Sequence, residues 1–216
     1  MKNPHVPGLK SGRTSAGFTF TELLVVMATM AILAALTLPS FVGTSTSQQL
    51  VASGNKTVDI INAARQNAVS SDAMTALILP TNTGNPSLDY HSFVIMQLAS
   101  GTTAWTQVSK WESLAPGVTV DCNNSTFLNE KPTLNVAPAS VNYLGQSIDL
   151  TKATYMVFLP DGNLVGPPAN PPTLQLVSGT SAGGATTYRG TTGSTPKNYY
   201  LITVNLYTGL PKVDRP

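Results

Sequence analysis

The chain is predicted to fold as an α+β protein, a long N-terminal helix packed against a C-terminal antiparallel β-sheet domain. Three observations predict this. Residues 18–38 are almost wholly apolar, residues 47–79 are helix-compatible with apolar side chains at helical spacing, and after Pro80 short alternating segments are broken by Gly, Pro, Asn and Asp. The expected divisions are a basic leader (1–17), an assembly or membrane-spanning helix (18–38), its amphipathic continuation (39–79) and a β-rich domain (80–216) with a long Gly/Pro/Thr-rich loop at 166–196.

The leader carries Lys2, Lys10 and Arg13 and no acid, and it ends at Gly17. From Leu23 to Leu38 the sequence LLVVMATMAILAALTL holds no charge. Residues 18–38 would span about 31 Å as a helix, the thickness of a bilayer core. Glu22 is the anomaly, since an acid inside such a segment costs about 3 kcal/mol or more and is normally kept for a partner. Were the chain cut after Gly17, Phe18 would gain an α-amino group four residues before Glu22. Between neighbouring subunits displaced along a filament axis that amine would meet the carboxylate, and an unpaired buried charge would penalise misregistered packing. Ala28, Ala31, Ala34 and Ala35 would allow neighbouring helices to approach closely. Two other readings stay open: a secretory signal peptide, whose apolar region would lie within 23–38, and a plain single-span anchor with Glu22 reaching to the interface.

Pro39 is expected to kink the helix without ending it, with Gly43 loosening it further. Beyond it, Leu50, Val51, Val58, Ile61, Ala64 and Ala68 form one apolar stripe, with Lys56, Asp59, Asn62 and Arg65 mostly off it. Such a helix needs a surface to cover, and the following domain supplies one. Strands are expected over 91–98, 103–111, 118–121, 155–159, 173–177 and 199–206, with turns at Ala115-Pro116-Gly117 and Pro160-Asp161-Gly162-Asn163. In the last strand Tyr200, Ile202, Val204 and Leu206 share one face, and Thr208-Gly209 is expected to turn the chain into a short tail.

The 216 residues carry 12 Lys and Arg against 10 Asp and Glu, a net charge of +2. Removing the leader leaves 9 basic residues against the same 10 acids, so the remainder stands at −1. The basic excess therefore belongs to the leader, where it would hold that end in the cytoplasm. A sparsely charged remainder disfavours nucleic-acid binding driven by bulk electrostatics. Cys122 is the single cysteine, which rules out an intramolecular disulfide, and His91 is the one histidine beyond the leader. A catalytic thiol, a serine hydrolase with His91 as base and a closed metal site all lack their partners. Asp161 and Asn163 alone fall short of a calcium loop, and no phosphate-loop motif occurs. Neither an enzyme nor a cofactor is expected. Trp105 and Trp111 read as core or rim packing.

The stretch Gly17-Phe18-Thr19-Phe20-Thr21-Glu22-Leu23-Leu24-Val25-Val26 resembles the processing motif of type IV pilins and type II secretion pseudopilins. The resemblance implies a pilin-like fold, cleavage after Gly17 by a prepilin peptidase, N-methylation of Phe18 and a role for Glu22 in filament assembly. Pro39 falls where the family places a helix-loosening proline, whereas Thr21 departs from the usual aliphatic residue. The implied partners are other pilins or pseudopilins, the peptidase and an inner-membrane assembly platform. The implied location is the bacterial inner membrane, single-pass, with the C-terminal domain outside the cytoplasm, and then a pilus or pseudopilus.

Three further segments, Ala63-Ala64-Arg65-Gln66-Asn67-Ala68, Val157-Phe158-Leu159-Pro160-Asp161-Gly162 and Val204-Asn205-Leu206-Tyr207-Thr208-Gly209, are similar in order and separation to signatures of the H-type minor pseudopilins and FimT-like minor pilins. That branch implies a minor, tip-associated subunit. It also raises the alternative of a pilus-displayed DNA-binding or adhesive receptor, for which Tyr188-Arg189, Lys197, Lys212 and Arg215 are the candidate DNA contacts. Scattered solubilising charge is the alternative reading of those residues.

Overall fold

Among the described residues, helix α1 (Phe20–Ser71) is followed by thirteen strands, all paired antiparallel. The computed structural model describes residues 18–129, 132–165, 170–190, 196 and 198–215, with the backbone alone at 35–45. The leader with Gly17, the side chain of Pro39, where a kink is expected, and Lys197 lie outside the described residues. The chain divides into two compact units, Met1–Gly43 and Thr44–Pro216.

In the second unit the expected apolar stripe is the buried face of α1. Leu50, Ile61, Ala64 and Ala68 are each at most 1% exposed, and Val58 packs beside them. The helix was expected to continue to Leu79, and here the structure corrects the sequence reading. At Asp72 the backbone turns left-handed (φ 50°), and the Ala73 N–H donates to the Ala68 carbonyl at 3.3 Å. This six-to-one bond closes the helix in a Schellman arrangement. After it, β1 (Met74–Leu79) runs up the centre of a sheet.

That sheet has the order β3-β2-β1-β8-β9, with β4 also on β2; the added strands are β2 (Ser92–Leu98), β3 (Trp105–Gln107), β4 (Glu112–Ser113), β8 (Thr154–Phe158) and β9 (Leu164–Val165). A second sheet has the order β11-β10-β12-β13, with β5 (Val118–Val120) on β10; it contains β10 (Thr173–Ala182), β11 (Ala185–Tyr188), β12 (Tyr199–Val204) and β13 (Pro211–Asp214). β6 (Ser140–Tyr143) and β7 (Gln146–Asp149) form a separate hairpin.

Period-two alternation then builds two cores. Phe93, Ile95, Leu77 and Phe158 from the first sheet meet Val120, Leu176, Tyr200 and Ile202 from the second, together with the α1 stripe. Val94, Met96, Ile78 and Val157 point from the opposite face of the first sheet to Val141, Ile148 and Leu150 around the β6–β7 hairpin. Each fully buried Leu, Ile or Phe contributes about 1.5–3 kcal/mol. Trp105 and Trp111 pack at the rim of this second core and donate their indole N–H groups to the Val136 and Asn142 carbonyls at 2.9 and 2.8 Å.

Two other expectations are corrected. Most of the described part of the 166–196 loop is the β10–β11 hairpin, turned at Gly183-Gly184, both left-handed. The tail after Gly209 is strand β13, paired with β12 from Leu201↔Asp214 to Val204↔Pro211. The Pro160–Asn163 turn forms as expected, with Gly162 and Asn163 N–H groups donating to the Leu159 carbonyl and Asp161 Oδ1 at 2.8 and 2.9 Å.

Candidate assembly site

Glu22 occupies the third position of α1, and Thr19 is its N-cap. The Thr19 backbone N–H and hydroxyl both donate to Glu22 Oε2, at 2.9 and 2.8 Å. In return the Glu22 N–H donates to Thr19 Oγ1 at 3.3 Å. This reciprocal pair is a capping box, satisfying two amide groups that the helix start leaves without partners. Charge alone does not reveal the Thr19 partner of Glu22, but the T-x-x-E signature at 19–22 does. Both residues follow Gly17, so cleavage there leaves both residues of the box in the chain.

Apart from exposed Thr21, the helix surface beside this box is apolar. Phe18, Phe20, Met27, Met30, Ile32 and Leu33 are all more than 60% exposed. Thr29, the polar exception further along, donates its hydroxyl back to the Val26 carbonyl at 2.9 Å. Among the described residues no helix is long and apolar enough to cross a membrane. The expected span of 18–38 continues into residues 35–38, whose side chains lie outside them.

A second constellation joins the three short segments that sequence reading singled out. Arg65 on α1 donates its Nε–H to the Thr208 carbonyl at 2.6 Å. Its guanidinium lies over Gly162, where a Cβ would stand 3.0–3.2 Å from the guanidinium atoms. Gly209 closes the node: it is left-handed (φ 63°), and a Cβ there would fall 2.3 Å from the Gly162 carbonyl oxygen. Arg65 is thus more than the polar flank expected of a residue off the apolar stripe. It fastens the helix to the β8–β9 turn and to the exit of β12.

The candidate DNA contacts lie beside two different strands, β11 and β13. Lys212 and Arg215 lie three residues apart across the alternation of β13. Val213 packs on the main core and Arg215 stacks over the Tyr200 ring at 5.3 Å, while Lys212 and Asp214 take the other face. Arg189 sits just past β11, its N–H bonded to the Ser178 carbonyl at 2.9 Å. Tyr188 is occupied as well. Its hydroxyl lies 3.1 and 3.0 Å from the two oxygens of Asp121, a fully buried acid. Asn124 Nδ2, the Asn123 N–H and Gln175 Nε2 donate to the same carboxylate at 2.7, 3.0 and 3.3 Å. Among the described residues no cation lies within ion-pair distance of Asp121, so hydrogen bonds alone carry its charge. Burial pushes the Tyr188 hydroxyl pKa up, and the neighbouring carboxylate reinforces the shift.

Cys122 is half-buried, and its N–H donates to Thr186 Oγ1 at 2.8 Å. His91 stands just before β2, with Nδ1 2.5 Å from the Asp89 carbonyl oxygen. Among the described residues no group of three His, Cys, Asp or Glu side chains converges as a metal site would require.

No protein-family model matches the chain, and no curated protein does. Among solved structures it is similar to the minor pseudopilin EpsH from the type 2 secretion system of Vibrio cholerae, with 13% identity, 78% of this chain and 98% of that chain covered, and a TM-score of 0.44. It is also similar to the type IV minor pilin FimU of Pseudomonas aeruginosa, with 14% identity, 78% and 93% coverage and a TM-score of 0.44.

Proposed function

We propose that this chain is a structural subunit of a type IV pilin-like filament, a minor and tip-associated one, in a secretion pseudopilus or a pilus. The observation that carries the reading is a helix start whose exposed side chains are mostly apolar and which holds one acid, Glu22, in the sequence setting of a prepilin processing site. In this reading a prepilin peptidase removes residues 1–17 and Phe18 is N-methylated. The helix from Phe18 to Leu38 rests in the inner membrane with the C-terminal domain outside the cytoplasm, and Pro39 loosens the rod. An assembly platform then moves the subunit into the filament, where Glu22 meets the Phe18 amine of a neighbour.

The capping box sharpens the test, because it gives Glu22 a second role within its own helix. Glu22→Gln keeps an oxygen acceptor for the Thr19 N–H but removes the charge, whereas Glu22→Ala removes both. Incorporation of each variant into sheared filaments is the measurement. If the charge recruits the subunit, Gln and Ala fail alike. If Gln assembles as well as the unaltered chain, Glu22 is a cap and the proposed pairing is wrong.

A further inference from the structure

Beside the capping box stands one hydroxyl that the box itself does not use, that of Thr21. It is exposed, and its Oγ1 lies 3.1 Å from Thr19 Oγ1. A threonine hydroxyl has a single hydrogen to give. Thr19 gives its own to Glu22 Oε2 at 2.8 Å, so Thr21 is the donor in the threonine pair. The hydroxyls form a directed chain, from Thr21 to Thr19 to Glu22, that ends on one carboxylate oxygen.

Both donors from Thr19, its backbone N–H and its hydroxyl, fall on that same Oε2. Among the described residues no hydrogen bond reaches Oε1. Thr29, the next threonine of α1, donates back to the Val26 carbonyl, the ordinary use of such a hydroxyl within a helix. Thr21 turns to Thr19 instead. Linked hydroxyls polarise one another, and the bond that ends on a charge gains most where water is excluded. The Thr19 proton is thereby fixed on Oε2, and Oε1 is left as the face open to a cation.

We propose that Thr21 is a positioning residue for the assembly carboxylate: through Thr19 it locks Glu22 by one oxygen and presents the other, Oε1, to the Phe18 amine of a neighbouring subunit. The inference rests on the filament reading, which supplies that amine. An aliphatic residue at 21, the kind usual in the processing motif, could not make the link, so this arrangement belongs to the present chain.

The test uses the full chain in its host, with incorporation into sheared filaments counted per mature chain that begins at Phe18. Thr21→Val keeps the branched shape and a similar helix propensity while removing the hydroxyl. It is expected to cut incorporation about fivefold, the size of one net hydrogen bond. Thr21→Ser keeps the hydroxyl without the methyl group and is expected to stay within about twofold of the unaltered chain. Unaltered incorporation of Thr21→Val would overturn the proposal. So would a Thr21→Ser variant as poor as Thr21→Val, which would assign the effect to shape. Glu22→Gln in the same host separates the two claims. If Glu22→Gln fails while Thr21→Val assembles fully, only the positioning role is rejected. If Glu22→Gln assembles fully, or the chain still begins at Met1, the reading beneath it falls as well.

Discussion

The Nε–H of Arg65 donates to the carbonyl of Thr208 at 2.6 Å, joining residues 143 positions apart. The bond draws the helix, the turn after β8 and the exit of β12 to one point, with Gly162 and Gly209 supplying the space. Changing Gly209 to Ala would force a Cβ onto the Gly162 carbonyl as well as straining a left-handed backbone. A loss of about 2–3 kcal/mol is expected in denaturant unfolding followed by Trp105 and Trp111 fluorescence. Gly101→Ala is the control, since Gly101 is left-handed with open space around it. It should cost about 1 kcal/mol. Equal losses at the two positions would mean that the node is not tightly packed.

Gly54 poses an opposite-sign contest. On helix propensity alone, alanine would gain about 1 kcal/mol over glycine. A Cβ at Gly54, however, would stand 2.4 Å from the Tyr200 ring. That ring has little room to retreat: its hydroxyl donates to Asn55 Oδ1 at 2.8 Å and Arg215 stacks over it. Gly54→Ala is therefore expected to destabilise by about 1–3 kcal/mol. Combining it with Tyr200→Leu should give a smaller loss than the two single losses added together. Strict additivity would show that the ring and the glycine do not press on one another.

The Asp121 cluster can be probed from Tyr188. Tyr188→Phe removes a donor to a buried carboxylate without opening a large cavity, and a loss of about 1.5–3 kcal/mol is expected. Asp121→Ala should cost more, because Tyr188, Asn124 and Gln175 would all lose an acceptor. Calorimetry of both variants checks the order, which would be reversed if the carboxylate were a burden to the fold.

Lys56 Nζ lies 2.8 Å from Glu112 Oε2, with Lys110 Nζ 3.4 Å from the other oxygen. The Lys56 hydrogen bond holds the Glu112 carboxyl below the ordinary carboxylate range, against a smaller opposing effect of desolvation. Because the folded pKa is the lower one, the pair stabilises fully above the unfolded pKa, and this contribution is lost as pH falls through the folded value. For a partly exposed pair it is worth about 1 kcal/mol or less. Glu112→Gln should thus unfold earlier than the unaltered chain at neutral pH and converge with it in acid. A gap that persists unchanged into acid would assign the effect to packing.

Sequence legibility followed local patterning. β12 was readable because Tyr200, Ile202 and Val204 alternate strictly with half-buried Leu201 and Thr203. β1 was not, since Ala76 to Leu79 are buried on both faces and leave no alternation to distinguish a central strand from more helix. The helix stop there is Asp72, with no glycine to announce it. The β10–β11 turn did carry a signal, Gly183-Gly184, lost in a stretch dense with glycine and threonine. At the candidate assembly site Glu22 was legible as an anomaly of charge, and Thr19 was overlooked because its role is local geometry. The meeting of Arg65, Gly162 and Gly209 was hidden for the opposite reason: it is set by tertiary packing between distant segments.

Membrane extraction followed by intact-mass and N-terminal peptide mass spectrometry decides whether this chain is handled as a filament subunit. A mature chain that begins at Phe18 and carries one added methyl group is the expected result. A chain that still begins at Met1, or one that begins well beyond Leu38, would contradict it.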